Sequence, residues 1–471
     1  MPTQRFGEPQ VLEALKAVID PDFGKDIVSL GFVKNMKING DFVAFDIELT
    51  TPACPVKVEF QRQAEAVVRA IPGVGSVNVN MTSRVRKSSH AGQAQLPGLA
   101  KVKTIIAVAS AKGGVGKSTV AANIARELSR RGLSTGLLDA DIFGPSVPTL
   151  FGIHRPEIHQ DEEGLIVPLE SNGLKLMSFG FLLPEGAAIL RGPLVAQYIQ
   201  QLLGQVRWGE LDYLIIDMPP GTGDVQLTIT QTVRLTGAVI VTTRQALSLV
   251  DVERGIEMFE KVKVPMLGIV ENMAYFVCDN CDKKHWIFGG GPAPQGRPAP
   301  QGGPAPQGGS GSTGGGQSAD GEEPSSLTEK FGLQTLMRIP ITQDITSGLD
   351  RVAANPLIVE LVDNMIRAQG RRSIEEAELP TLVNGPEGLS IVWQDGTKAF
   401  VRHRELRASC HCATCVDELS GKRLLRDGDI PVDISALEVE PLGNYALRIS
   451  WSDGHNTGIY PWARIRELAA R

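Results

Sequence analysis

TIIAVASAKGGVGKSTVAANIAREL, residues 104–128, is the stretch on which the fold turns. Thr104 to Ala109 is an apolar run of strand length, and Val120, Ile124 and Leu128 recur at helical spacing. The glycine-rich segment between them is therefore a loop joining a buried strand to an amphipathic helix. Small residues there let the backbone amides of Gly113, Gly114, Val115, Gly116, Lys117, Ser118 and Thr119 curl around phosphate oxygens, and the helix start adds partial positive charge. Lys117 is placed to reach the terminal phosphates of a nucleotide such as ATP, and Ser118 to bind Mg2+. Where such a loop usually begins with glycine this chain has Ala111, which requires φ to stay below zero at that position.

Outward from the loop, Gly136 to Leu138, Tyr213 to Ile216, Ala238 to Val241 and Met266 to Val270 are further short apolar runs that alternate with helical patterns. That alternation predicts an α/β unit, a parallel sheet with helices on both faces. Carboxylates stand at the ends of two runs: Asp139 and Asp141 in LLDADIFGPS, and Asp217 in DYLIIDMPPGTGD. Asp139 and Asp224 read equally well as residues of the nucleotide-binding site and as helix caps or turn residues, and Asn272, after MLGIVE, also reads as a turn former.

At 471 residues the chain has room for roughly three units of about 150 residues. The first is a small α+β domain, 1–84, with a helical face (Val11, Leu12, Leu15, Val18, Ile19) and a strand at alternate spacing (Val43, Phe45, Ile47, Leu49). A linker, 85–103, leads to the phosphate-binding unit, 104–370, and a second linker, 371–385, to a small mostly β domain, 386–471. In that last domain two alternating runs each end in Trp-x-Asp-Gly, at Trp393 and Trp451. Residues 289–325 hold three tandem copies of a unit, PAPQGR, PAPQGG and PAPQGG, with little to bury, and read as a disordered insert. Lysine and arginine number 47 against 53 acidic residues, which argues against a dedicated nucleic-acid binder. No apolar run reaches the roughly 18 residues of a membrane helix. With MPTQRFGEPQ at the start lacking a signal-peptide pattern, the expected location is cytoplasmic.

Six cysteines are too few for a disulfide scaffold of this length. Cys278 and Cys281 form a C-x-x-C pair, half of a tetrahedral set that a symmetric homodimer would complete. Four thiolates from two chains suit a shared 4Fe-4S cluster; a shared zinc, a redox pair, or zinc completed by His285 are the rivals. Cys410, Cys412 and Cys415, with His455 forty residues on, make a closed Cys3His set for structural Zn2+, His411 and His403 being competing fourth ligands. Cys54 alone is most simply a small buried apolar residue.

The extra Lys112 makes KGGVGKST similar to the deviant phosphate loop of the MinD, ParA and nitrogenase iron-protein class of dimeric ATPases. That resemblance implies that Lys112 crosses to a partner's nucleotide, that Asp141 positions the attacking water, that Asp217 holds the Mg2+ shell, and that Pro219, Pro220 and Gly221 form a second switch. It also implies that Asn272 reads the adenine edge. Together with DADIFGPS, Arg191–Pro193, DMPPGTGDVQLT, ENM and C-x-x-C, the chain resembles the Mrp/ApbC family of iron-sulfur cluster carriers over about residues 104–370, departing from it at Ala111, at Arg244 in place of proline, and in the insert. DPDFGKDIVSLG and TTPACP resemble the iron-sulfur assembly domain often fused ahead of these ATPases, which makes Cys54 a candidate transient cluster ligand. The last domain resembles the N-terminal zinc domain of gamma-butyrobetaine hydroxylase, and the three-part order resembles chloroplast high-chlorophyll-fluorescence carriers and their bacterial relatives. The implied activity is ATP hydrolysis coupled to passing a labile cluster to apoproteins, with assembly scaffolds as further partners and neither nucleic acid nor membrane. The rivals are a zinc-binding scaffold ATPase and a MinD/ParA-like positioning ATPase.

Overall fold

The computed structural model describes residues 6–53, 56–83, 96–153, 156–182, 192–221, 223–244, 246–262, 264–286, 333–342, 345, 354–393, 396–410, 412, 414–416, 423–442 and 446–469. The chain divides into two compact units, Met1–Gln369 and Gly370–Arg471.

The first unit opens with α1 (Glu8–Leu15), β1 (Val33–Asn39), β2 (Phe42–Leu49), α2 (Lys57–Arg69) and β3 (Ser76–Ser83). β2 runs antiparallel to β1 and parallel to β3, with α2 as the crossover. Its alternation is the one the sequence predicts: Val43, Phe45, Ile47 and Leu49 are buried and the residues between them are not. This small layer joins the rest of its unit through Ala53, which lies in the apolar cluster of the large sheet, and through Asp22, 3.2 Å from Arg367.

The large sheet contains β4 (Val102–Ala109), β5 (Thr135–Asp139), β6 (Leu169–Ser171), β7 (Leu174–Ser178), β8 (Leu211–Asp217), β9 (Gly237–Thr242), β10 (Met266–Glu271) and β11 (Thr335–Arg338), in the order β11-β10-β9-β4-β8-β5-β7-β6. All neighbours are parallel except β6 with β7. β5, β9 and β10 are buried at every residue, which is why they read as continuous apolar runs and not as alternations. Strand β4 starts at Val102, inside the segment expected as a linker, because Leu99 and Val102 are already part of the core.

Helices α3 (Lys117–Arg130), α4 (Ala246–Lys261) and α5 (Pro356–Glu378) complete the layers used below. Glu127 ties α3 to α5: 4% exposed, it accepts hydrogen bonds from Arg130 Nε (2.7 Å) and Arg131 Nε (2.8 Å), and Arg131 reaches on to Asp363 at 2.6 Å. Burial pushes the Glu127 carboxyl up, but the two guanidiniums outweigh it and hold it below the usual carboxylate range. A depressed folded-state pKa adds stability that is present above the unfolded-state value and lost as pH falls through the folded-state one. Glu127→Gln is therefore expected to lower stability by about 1–3 kcal/mol at neutral pH, with the gap to wild type closing in acid, as read from urea unfolding at a series of pH values.

The second unit holds two three-stranded antiparallel sheets. One is β12 (Thr381–Asn384), β13 (Gly388–Val392) and β14 (Lys398–Arg402), the other β15 (Ala436–Leu442), β16 (Ala446–Trp451) and β17 (Ile459–Pro461). Helices α6 (His403–Ala408) and α7 (Trp462–Ala469) accompany them. Leu389, Ile391 and Trp393 share its core with Leu447, Ile449 and Trp451, the residues of the two repeated runs. The segment expected as a linker, 371–385, instead carries the last turns of α5 and all of β12, and Leu382 packs on the core. The insert 289–325 lies outside the described residues. No helix among the described residues is long and apolar enough to cross a membrane.

Candidate functional site

Parallel pairing brings the carboxyl ends of β4, β5 and β8 to one level: Asp217 stands opposite Asp139 on one side and Val108 on the other. Ligands of open α/β sheets bind at this end of the strands. The loop after β4 is held by Ser110 Oγ, which donates to the Lys112 carbonyl at 2.8 Å. Gly114 and Gly116 adopt φ of +78° and +83°, and Ala111 keeps φ negative as required. Gly116 is needed for space as well as for φ, since a Cβ would collide with the amide of Asn272. That amide donates to Val115 O at 2.9 Å, so Asn272 is fastened to the loop itself. Gly221, at φ +98°, donates its N–H to Ser110 O at 2.9 Å and brings the loop after β8 alongside.

Within this cradle Lys117 Nζ pairs directly with Asp217 Oδ1 and donates to Ser118 Oγ at 3.2 Å. Both partners are deeply buried, at 6% and 0% exposure, and Asp217 Oδ2 has no hydrogen-bond partner among the described residues. Burial pushes the Asp217 carboxyl up and Lys117 pulls it back. An orphaned buried carboxylate oxygen beside a serine hydroxyl fits a hydrated Mg2+ ion, a group that brings its own donors. Asp139 is saturated: its carboxylate accepts from the N–H of Asp141 (3.2 Å), Ser146 (2.9 Å) and Val147 (3.0 Å) and from Ser178 Oγ (3.0 Å). Burial, then the charge of Asp217, pushes Asp139 up to about 7. Asp141, buried beside the pair, caps the turn to Gly144 N–H at 3.1 Å. Lys112 is turned to α4, with Nζ 3.2 Å from Asp251 Oδ2.

After β10 a short hairpin, Phe276–Val277 with Lys284–His285, carries Cys278 and Cys281 in its turn, the first half-buried and the second exposed. The Cys278 thiol is held below its usual range by the Asn280 amide first, then by hydrogen bonding from Cys281. Behind the hairpin, Arg244 sits 4.7 Å over the Trp286 ring while its Nε donates to Glu271 Oε2 at 2.7 Å. The residue that departs from the carrier pattern is therefore a contact of this hairpin.

In the second unit Cys410, Cys412, Cys415 and His455 converge, all donor atoms lying within 4.8 Å of one another. His455 Nε2 is 3.2, 3.5 and 3.9 Å from the three sulfurs in chain order. The Asp453–Gly454 turn makes the placement, with Gly454 at φ +82° and the His455 N–H donating to Asp453 Oδ1. His403 is engaged elsewhere, its Nε2 2.9 Å from Asn384 Oδ1, and His411 lies outside the described residues. Burial pushes the Cys410 thiol up to about 12. Burial also opposes ionisation of Cys412, yet the hydroxyls of Thr414 and Thr457 hold it down to about 5. Three thiols and one imidazole at this separation fit a tetrahedral Zn2+ ion.

The sequence did not single out Asp251 or Arg407. Arg407 donates from Nε to Asp453 at 2.8 Å and from Nη1 toward Cys415 Sγ at 3.4 Å. Both are ordinary charged residues of helical patterns, and no local spacing marks them. Cys54 lies outside the described residues, as do Arg191 and the side chain of Asp224.

Three family models match the chain. That described as NUBPL iron-transfer P-loop NTPase covers residues 101–297, that described as iron-sulfur cluster assembly protein covers 8–80, and that described as gamma-butyrobetaine hydroxylase-like, N-terminal, covers 381–466. The chloroplastic Fe-S cluster assembly factor HCF101 of Oryza sativa subsp. japonica is 40% identical over 97% of this chain and 82% of its own length. The iron-sulfur cluster carrier protein of Deinococcus radiodurans is 46% identical over 60% of this chain and 79% of its own. Among solved structures, a nucleotide-binding protein of Archaeoglobus fulgidus in complex with ADP is 37% identical, covering 56% of this chain and 93% of that one, with a TM-score of 0.43.

Proposed function

The chain belongs to the family of iron-sulfur cluster carriers and assembly factors built on a P-loop NTPase, and from that premise we propose that it hydrolyses ATP while two copies hold a labile 4Fe-4S cluster as cargo and pass it to apoproteins. The observation that carries this reading is the pair Cys278 and Cys281, presented together at the tip of a hairpin with one sulfur exposed, so that a second copy can complete the set.

In this reading the amides of Gly113 to Thr119 and Lys117 bind the phosphates. Ser118 and the surroundings of Asp217 would hold Mg2+, which supplies charge neutralisation on the transferring phosphoryl group. Asp141 orients the attacking water. The donors that saturate Asp139 support a bracing role, in which it fixes the backbone that presents Asp141. Asn272 remains the candidate for the adenine edge, and its bond to Val115 would set its orientation. Lys112 reaches a partner's nucleotide only by leaving Asp251, so dimer formation exchanges one ion pair for another. Two arrangements with different nucleotide contacts are what ATP needs in order to bias cluster loading or release. The Cys410, Cys412, Cys415 and His455 set would hold Zn2+ as a staple of the second unit.

Anaerobic reconstitution with iron and sulfide tests the reading. About four irons and four sulfides per dimer are expected, lost in Cys278→Ala while one zinc per chain persists. Zinc in both sites with no acid-labile sulfide would instead make the chain a zinc-dependent scaffold.

A further inference from the structure

The hairpin that carries Cys278 and Cys281 brings a third donor to the same place. Its strands pair with Phe276 opposite His285. The turn is closed by Cys278 N–H to Lys283 O (3.0 Å) and by the N–H groups of Cys281 and Asp282 to Cys278 O (3.3 and 2.9 Å). Asp282 takes a left-handed φ of +55°, which reverses the chain just after the second cysteine. As a result the two sulfurs and a ring nitrogen of His285 all lie within 4.8 Å of one another inside a single chain. Cys281 and His285 are exposed, leaving one side of the triad open.

We propose that one chain alone binds a single divalent ion of the zinc or ferrous class through Cys278, Cys281 and His285, with the fourth position open, and that this ion and the shared cluster exclude each other. Two thiolates and one imidazole are a donor set for these ions, and three protein ligands with an open fourth position is the pattern of a site that accepts an exchangeable ligand and not of a closed structural one. Exclusion follows from stoichiometry, because the same two sulfurs cannot serve both centres. This second clause rests on the cluster reading above; the single-ion site does not.

The test uses the full reduced chain without nucleotide, at a concentration where it sediments as a monomer, with its Cys3His set first filled by stoichiometric zinc. Anaerobic titration with cobalt(II) is expected to load one further ion per chain, with thiolate-to-cobalt charge transfer and tetrahedral visible bands. X-ray absorption at cobalt should show two sulfur neighbours. Cys278→Ser should abolish this binding, and His285→Ala should weaken it at least about tenfold with a changed spectrum, since losing even an outer-shell partner commonly costs that much. His285→Cys should restore tight binding with stronger charge transfer. Equal affinity and spectrum in His285→Ala, or uptake of one ion per two chains, would overturn the site. For the exclusion, filling the hairpin with zinc should lower the cluster yield of the wild type, and His285→Ala should narrow that loss; equal wild-type yields with and without zinc overturn it. A wild type that takes up no cluster even without zinc sinks the carrier reading, and the cobalt titration still decides the single-ion site.

Discussion

Lys117→Ala is expected to remove ATP turnover and, separately, to weaken the first unit of the nucleotide-free chain. Lys117 is the direct partner of Asp217, which is fully buried, has a second oxygen with no hydrogen-bond partner among the described residues, and stands opposite Asp139 on the neighbouring strand. Deleting the ammonium leaves a carboxyl that must ionise unpaired or stay protonated, and breaking a buried pair in this way costs about 3–5 kcal/mol. Turnover should fall at least ~100-fold, the loss typical when one preorganised charge on a transition state is removed. Asp217→Asn in the Lys117→Ala background separates the two effects: it should recover most of the lost stability and none of the activity. Urea unfolding and phosphate release measure them. An unchanged unfolding midpoint in Lys117→Ala would show that the pair carries no stability, and persistent turnover that Lys117 does not bind phosphate.

Cys410→Ser is expected to unfold the second unit and release one zinc per chain. Cys410 and Cys415 are core residues, clustered with Trp451 and Tyr460, so the ion would sit at the edge of the apolar core and not on the surface. A Cβ on Gly458 would lie 2.9 Å from Cys410 Sγ, which shows how closely the backbone wraps this sulfur. Structural zinc in small domains contributes an apparent ~10–16 kcal/mol, as large as the whole stability of a typical domain at about 5–15 kcal/mol. Near-ultraviolet circular dichroism reports on Trp393, Trp451 and Trp462, which lie in that core. Their signal should collapse in the variant, and in the wild type on chelation. A chelated wild type that keeps it would mean that the unit folds without metal.

Much of the nucleotide unit was legible because its chemistry is local. Strand, loop and helix follow one another within residues 104–128, and the buried strands announce themselves as apolar runs. Fully buried parallel strands carry no alternation, however, so nothing in the runs ranked them, and the order β11-β10-β9-β4-β8-β5-β7-β6 had to come from the structure. The Cys3His set was legible as spacing, but choosing among His403, His411 and His455 needed the turn at Gly454 and the engagement of His403 by Asn384. What was illegible is long-range pairing of charges. Lys112 with Asp251, Glu271 with Arg244 and Arg338, and Arg407 with Asp453 join residues tens of positions apart, and a charged side chain in an amphipathic helix or at a strand end looks solvated until its partner is seen.

The contact between Arg244 and Trp286 bears on how the cysteine hairpin is mounted. Its strands are two residues long and, among the described residues, pair only with each other, so their own hydrogen bonds do little to aim it. The aim is given from behind: Trp286 packs on Tyr275 with ring centroids 5.1 Å apart and on the guanidinium of Arg244, which is rooted in Glu271 at the end of β10. The next residue, Asn272, grips the phosphate loop through Val115. Mechanically the thiols are the tip of a short bracket whose bolts are side chains, and its far end rests on the loop that would hold the nucleotide. Arg244 is only 8% exposed, so salt in solution screens that joint weakly.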